Sequence, residues 1–434
     1  MKQYFKREYF RETIRKLFKK GFFSIFIGQF LTKFVTFFGS IFVVRLLTKE
    51  EYGYLGIYEN TYSYLSILGG FGLAYALIRY VILGKNRQEK YSIFHFAVKT
   101  SILINLLIVA VSLVTILLRF GGDFTTEYRI LLPLLVLSLP FQNLYNEMCV
   151  NERAMFSPSR FAVITLVGSS ALILGRILGA KMFNVYGVVF SQLIVYCILG
   201  TASLLVERRK YYSGLQYHRL PNTVKREVFR YSVQYMITNS FWTIIMLNSV
   251  FLLRRFQISA ESIADYKVAY VFPANISILS TCLGLIVAPY FTRHETERDW
   301  VKNYLSKTFL ASLFLVGAAA GVVFLFAKQI IQIVYGEKYL NVISLMRWLT
   351  IGAFINSGIR YPLANALAAM GKIKYNMIAS AGGIVFQILI NVLLIPSFGV
   401  YGTAIANISI YSAMSLMLMS VCYRLYYKKE RAIS

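Results

Sequence analysis

Acidic residues are scarce in this sequence: 19 Asp and Glu stand against 46 Lys and Arg in 434 residues, a formal net charge of +27. Charge of either sign is thin, at 15% of residues, while 57% are hydrophobic. That is too little charge to coat a water-soluble protein of this length. Cysteine is sparse too. Cys149, Cys197, Cys282 and Cys422 include no close pair with metal-ligand spacing, so neither a disulfide framework nor a zinc site is expected, and they read as small apolar residues in helices. His95, His218 and His294 are the only histidines. No nucleophile–base pair or metal motif surrounds them, so an enzyme is not expected, and no cofactor or metal is implied.

What is abundant is apolar sequence in blocks of about twenty residues, the length that crosses a bilayer. Inside lipid only helices or closed barrels satisfy their backbone polar groups, and long apolar runs without strict alternation select helices. The expected spans are 22–46, 55–79, 91–118, 130–150, 159–181, 185–206, 231–253, 267–290, 304–327, 341–366, 374–396 and 401–423. The breaks carry turn or charge signals such as GKNRQEK, FGGDFTTE, SPS and IPSFGVYG. The fold class is therefore all-α and polytopic, with about twelve transmembrane helices.

The cationic excess suggests nucleic acid on composition alone. However, the cations sit in short segments between apolar blocks, as membrane topology places them, so no nucleic-acid partner is expected. Taking alternate loops together, the N-terminus, the loops after spans 2, 4, 6, 8 and 10, and the C-terminus hold about 30 Lys and Arg, and the opposite set about 9. Both ends are therefore expected on the cytoplasmic side. Residues 1–21, basic and amphipathic, are expected to lie along that membrane surface, with no cleavable signal peptide. No loop on the opposite side exceeds roughly a dozen residues, which leaves little room for an extramembrane catalytic domain.

The chain also repeats. At a shift of 214 to 215 residues, Leu65, Ser66 and Gly70 meet Leu279, Ser280 and Gly284, and Val185-Tyr186-Gly187 meets Val400-Tyr401-Gly402. A repeat six spans long keeps its orientation, which gives two pseudo-symmetric lobes about an axis along the membrane normal with a cavity between them. The expected divisions are an N-lobe at 22–206, a basic cytoplasmic linker at 207–230, a C-lobe at 231–423 and a tail at 424–434.

Ionisable groups within spans are costly and usually face a cavity or a partner. Lys33 is near the middle of span 1, with Gln29 one turn before it. Lys99 is about two turns into span 3, Arg176 lies in span 5, and Arg347 and Arg360 lie in span 10, with Asn356 one turn from Arg360. Glu59 in span 2 and Glu147 late in span 4 are the acids, available for proton or sodium coupling, and Glu59 is also the expected partner if Lys33 is ion-paired. Arg45, Arg79, Arg254, Arg255 and Arg293 lie near span ends, where long side chains reach the headgroups. Cations outnumber acids within the spans, which points to an anionic passenger such as a phosphate or diphosphate.

The segment RLLTKEEYGYL followed by LGGFGLAYALIRY, with weaker echoes in ISAESIADYKVAYVFP and VYGTAIANISIY, resembles the bacterial polysaccharide (Wzx-type) flippases of the multidrug/oligosaccharidyl-lipid/polysaccharide exporter superfamily. The resemblance covers nearly the whole chain. It implies a V-shaped bundle like that of the multidrug exporters, around a cation-rich cavity. It also implies transfer of undecaprenyl-diphosphate-linked sugar repeat units, for O-antigen, capsule or similar polymers, to the outer leaflet of the bacterial cytoplasmic membrane. On that resemblance Lys33 and Lys99 hold the anionic head, followed by Arg176 and Arg360, and the partners are the lipid-linked oligosaccharide, membrane lipids and polymerase or export proteins. The alternatives are a cation-coupled multidrug exporter of the same fold and, more remotely, a membrane-bound polysaccharide-modifying enzyme.

Overall fold

The computed structural model describes residues 22–118, 126–155 and 157–427. The amphipathic segment expected over 1–21, and the tail from 428 onward, lie outside the described residues. Among the described residues every regular element is a helix. In chain order these are α1 (Phe22–Leu46), α2 (Lys49–Gly69), α3 (Leu73–Leu83), α4 (Arg87–Leu118), α5 (Thr126–Leu137), α6 (Leu139–Ala154), α7 (Pro158–Tyr211), α8 (Asn222–Arg255), α9 (Ala260–Asn275), α10 (Ser277–Arg293), α11 (Arg298–Leu325), α12 (Ala327–Tyr335), α13 (Ile343–Phe354), α14 (Tyr361–Ala369), α15 (Ile373–Phe398) and α16 (Val400–Cys422). A 3₁₀ turn at Glu337–Val342 precedes α13, and π-helical turns occupy Ile355–Arg360 and Tyr423–Tyr427. Six described helical segments are each long and apolar enough to cross a membrane, and the two bent parts of α8 together make a seventh.

Of the other expected spans, 22–46 is the single helix α1, while 55–79, 130–150 and 267–290 are interrupted helices, and each interruption has a local cause. The stretch 55–79 breaks between α2 and α3, where Phe71 and Gly72 take positive φ, 44° and 71°. The stretch 130–150 breaks at Ser138. Pro140 just beyond it has no N–H for the Val136 carbonyl four residues earlier, and the Leu135 carbonyl accepts from both the Ser138 N–H, at 3.0 Å, and its hydroxyl, at 2.6 Å. The stretch 267–290 breaks at Ile276, three residues after Pro273, and Ser277 Oγ bonds the Ala274 carbonyl at 2.7 Å. Such breaks survive in lipid only where side chains re-satisfy the freed backbone groups. Conversely, spans 5 and 6 are one continuous run in α7, kinked at Phe183 and Asn184.

The chain packs as two compact units. Unit 1 comprises the described part of Met1–Thr48 together with Thr61–Ile237; unit 2 comprises Lys49–Asn60 and Thr238 onward. Of the three boundaries, one falls between α1 and α2, and the other two fall inside α2 and inside α8.

In unit 1, Leu77, Phe94, Ala97, Leu144, Met148 and Tyr212 are buried together. Asn105 ties three helices: its amide donates to the Gly69 carbonyl and to the Ser101 carbonyl, both at 2.8 Å, and its Oδ1 accepts from Asn143 at 2.8 Å. In α7 the two arms cross at glycines, where a Cβ built on Gly179 would lie 2.2 Å from the Gly187 carbonyl oxygen. Only hydrogen fits, so the backbones meet as closely as small residues allow in membrane helices.

In unit 2, Ile245, Phe291, Leu305, Leu363, Ile410, Tyr411 and Met414 form the apolar core. A buried amide network crosses it: Gln387 Nε2 donates to the Ile245 carbonyl at 3.0 Å, Asn248 to Gln387 Oε1 at 3.3 Å, and Asn391 to the Gln387 carbonyl at 2.9 Å. The segment Lys49–Asn60 is held to this unit by polar contacts. Lys49 Nζ lies 3.0 Å from Asp265 Oδ1, and Asn60 Nδ2 donates to the Leu247 carbonyl at 2.9 Å.

Candidate functional site

Arg360 ends the π-helical turn in unit 2. Pro362 sits two residues beyond and has no N–H for the carbonyl four residues earlier; an extra residue in the turn absorbs that loss. The widened turn keeps Asn356 and Arg360 on one side, and Arg360 Nε donates to Asn356 Oδ1 at 2.6 Å. The guanidinium lies 4.1 Å from the centre of the Trp242 ring and 5.7 Å from that of Tyr361. Arg360 is only 6% exposed, yet among the described residues it has no carboxylate partner. Aromatic faces and an amide oxygen hold the charge in place without neutralising it. Four of its five N–H donors are left for another acceptor, and a phosphate oxygen pair fits such a fork.

Arg347, in the same unit, has a different setting. Its Nε donates to the Phe324 carbonyl at 3.2 Å and its guanidinium lies 5.6 Å from the Phe324 ring centre. It covers the last carbonyls of α11, a position where a cation complements the helix end.

Glu59, also in unit 2, meets a lysine that the sequence had not singled out. Lys267 Nζ lies 2.9 Å from Glu59 Oε2 and 5.1 Å from the Tyr52 ring centre. Glu59 lies in the part of α2 that packs in unit 2, and Lys267 lies on α9.

Unit 1 carries the other three expected cations, on three separate helices. Lys33 is exposed on α1 beside the exposed rings of Phe30 and Phe34. The side chain of Gln29 lies outside the described residues. Arg176 is half-buried in the first arm of α7. Lys99 lines a groove of about 390 Å³ between α4 and α7, with Arg208 and His95, aromatic Tyr91 and Phe94, and aliphatic Leu103 and Leu205. His95 also packs on Tyr217, ring centres 4.6 Å apart. Two cations at an apolar trough match the headgroup and first chain atoms of an anionic lipid.

Glu147 is 2% exposed in unit 1, next to the Ser101 hydroxyl. Neither of its buried oxygens has a hydrogen-bond donor among the described residues.

Of the residues chosen from sequence, the structure brings Arg360 together with Asn356. Trp242, Lys267 and Arg208 were not anticipated. Trp242 had a usable signal, being one of only three tryptophans and falling within an apolar span. Lys267 and Arg208 fall at span edges, where a cation reads as an anchor.

Residues 18–295 match the family model described as polysaccharide biosynthesis protein. The chain is 21% identical over 389 residues to the "Probable low-salt glycan biosynthesis flippase Agl15" of Haloferax volcanii, a match covering 86% of this chain and 76% of that one. An inward-facing multidrug resistance MATE family transporter of the MOP superfamily superimposes with a TM-score of 0.74 at 13% identity, covering 92% of this chain and 96% of the other. The lipid II flippase MurJ, in an inward closed conformation, does so with a TM-score of 0.72 at 16% identity, covering 92% and 87%. These likenesses show the fold: an all-helical, multi-pass membrane protein built like the MATE transporters.

Proposed function

The chain belongs to the polysaccharide biosynthesis protein family, and we propose on that premise that it is a flippase that carries lipid-linked oligosaccharide across the membrane by alternating access. The observation that carries this reading is Arg360: a buried guanidinium with no acid partner among the described residues, lying over the Trp242 ring. A charge kept in a membrane protein without neutralisation is retained for a ligand of opposite sign. A diphosphate head is such a ligand. Crossing hydrocarbon unaided would cost a diphosphate on the order of tens of kcal/mol; a cationic, hydrated path removes most of that barrier. The name of the Haloferax relative points to the same glycan-flipping role.

The finer reading is a bacterial cytoplasmic membrane protein with both termini inside, exporting undecaprenyl-diphosphate-linked repeat units and handing them to a polymerase or export machinery. Arg360 recognises the phosphate, so its role is unchanged on any polyprenyl carrier. Lys99 with Arg208 suits the carrier's head at the inner leaflet, and Lys33 and Arg176 are further cations for the path. A multidrug exporter of the same fold, carrying cations, would meet a buried guanidinium in unit 2 where it needs a carboxylate.

The test uses the purified protein in liposomes with a fluorescent oligosaccharide on polyprenyl diphosphate, its leaflet read by an impermeant quencher. Wild-type protein is expected to equilibrate the label and Arg360→Ala to fail. Flipping by Arg360→Ala at the wild-type rate, or transport of cationic dyes in place of the lipid, overturns the reading.

A further inference from the structure

We propose that the groove between α4 and α7 is a binding site for a bilayer phospholipid with an anionic head, and that unit 2 carries its uncharged counterpart between α11 and α16. The inference goes beyond the flippase reading and does not rest on it: the occupant is a lipid held in place, not the lipid carried.

The groove exists because α4 and α7 each pack against α6 and leave a gap between themselves. On α4, Tyr91, His95, Lys99 and Leu103 stand four residues apart and share a face. On α7, Leu204 and Arg208 do the same. All six line the gap. One end of it is marked by two loops that meet. The Gln88 side chain donates to the Gln216 carbonyl, and the His218 N–H donates to Ser92 Oγ at 3.3 Å. Tyr91, His95 and Arg208 lie toward that end, Lys99 comes next, and Leu103 and Leu204 lie farther in. Polar groups at the mouth and leucines beyond match an amphiphile, head first and chain after. The leucines add nothing for a free inorganic phosphate.

The cations are available to a ligand. Lys99 and Arg208 are exposed, and neither has a carboxylate partner among the described residues. The acids nearby are engaged elsewhere. Glu89 Oε2 accepts from the Lys85 N–H at 2.8 Å, and Glu207 Oε2 accepts from Asn151 at 2.6 Å. Glu152 lies 3.3 Å from Arg160 Nη2 and 3.7 Å from Lys210 Nζ. Cations near span ends ordinarily reach headgroups singly, as anchors. These two converge on one trough with apolar walls, so the headgroup they reach is a bound one. A carrier's phosphate suits the same pair, but the bilayer's own anionic lipids surround the protein in excess, and mass action fills the groove with them.

The repeat supplies a control inside the same chain. In unit 2, α11 and α16 each pack against the turn Ile355–Arg360, and a groove of about 440 Å³ remains between them. Met419 and Tyr423 line it, 215 positions after Leu204 and Arg208. Leu305 and Phe309, four apart on α11, form the facing wall. Its mouth holds hydroxyls in place of charges: Tyr427 Oη lies 2.6 Å from Ser306 Oγ. Lys302 lies over the Tyr427 ring, 5.4 Å from its centre, and is not part of the lining. The duplicated groove thus keeps its apolar walls and loses its cations, which makes it a place for an acyl chain with no choice of head.

The test offers delipidated protein phosphatidylglycerol and phosphatidylcholine with identical chains and counts bound lipid by native mass spectrometry. Wild type is expected to retain one phosphatidylglycerol roughly tenfold better than phosphatidylcholine. Lys99→Gln with Arg208→Gln, two exposed positions, is expected to erase that preference and to leave phosphatidylcholine retention and the melting temperature unchanged. Lys302→Gln is expected to change nothing. Tyr423→Arg is expected to give unit 2 the same preference, so that a second phosphatidylglycerol is held. An undiminished preference in the double variant, or equal loss of both lipids, overturns the anionic site. Displacement of phosphatidylglycerol by equimolar polyprenyl phosphate overturns it as well, since the groove would then belong to the carrier. No gain in Tyr423→Arg overturns the counterpart. None of these results depends on whether the protein flips lipid, so failure of transport in liposomes counts against the flippase reading alone.

Discussion

Asn184 and Gly399 lie 215 positions apart and hold the same unusual backbone, φ 51° and ψ −135° in one, φ 52° and ψ −129° in the other. Each is followed by Val-Tyr-Gly, at 185–187 and 400–402. Each also turns the chain so that the glycine of that triplet meets the preceding helix: Gly187 against Gly179, and Gly402 against the Leu394 carbonyl. The repeat detected in the sequence is thus a repeat of a turn, in which a positive φ lets one membrane helix double back against another.

Glycine adopts this conformation freely and asparagine does so under strain. Asn184→Gly is therefore expected to stabilise the protein by about 1 kcal/mol, and Gly399→Ala to destabilise it by about 1–3 kcal/mol. Thermal unfolding of the detergent-purified protein, followed by size-exclusion of the surviving fraction, checks both. Equal melting of Asn184→Gly and wild type would remove strain as the explanation.

The helical class, most span positions and the matching turns were legible because each is a local matter of apolar length, breakers and repeated residues. The interruptions at Gly72, Ser138 and Ile276 were not, since apolar windows run straight across them. Pro140 and Pro273 were the available signals. Partners were the least legible part. Trp242 is far from Arg360 in sequence, and Lys267 is 208 positions from Glu59; only packing joins them.

The Lys267–Glu59 pair fastens the first half of α2 to α9 within unit 2, both side chains being about one-quarter exposed or less. Glu59→Gln leaves Lys267 without its counter-charge, and a loss of about 1–3 kcal/mol is expected. The exchange Glu59→Lys with Lys267→Glu is expected to recover much of it. Thermal melts of the singles and the double, read as a mutant cycle, test this. Additive losses would show that the pair contributes nothing as a pair.

Lys99 and Arg208 share one groove with apolar walls, so their effects on anionic lipid are expected to overlap. Either alanine variant alone is expected to weaken retention of phosphate-headed lipid several-fold, and the double variant by roughly tenfold, since each cation near a membrane surface contributes about 1 kcal/mol. Native mass spectrometry of bound lipid against a neutral diacylglycerol control reads the difference. Equal loss of both lipids would make the groove a site for acyl chains only.

Trp242 separates two accounts of Arg360. If the guanidinium is held for a ligand, the ring's task is to keep a desolvated charge stable and aimed. Removing the ring, as in Trp242→Leu, should then weaken diphosphate binding by about 2 kcal/mol, roughly thirtyfold, while Trp242→Phe keeps part of the effect. Arg360→Lys keeps the charge but loses the planar fork, so it is expected to bind diphosphate more weakly than wild type and more tightly than Arg360→Ala. If instead Arg360 only packs the core of unit 2, Arg360→Met should melt at or above the wild-type temperature and bind the lipid as well as wild type. Titration of inorganic diphosphate and of the lipid against each variant, with melting points measured alongside, distinguishes the two: the ligand account requires binding to fall in variants whose stability is unchanged.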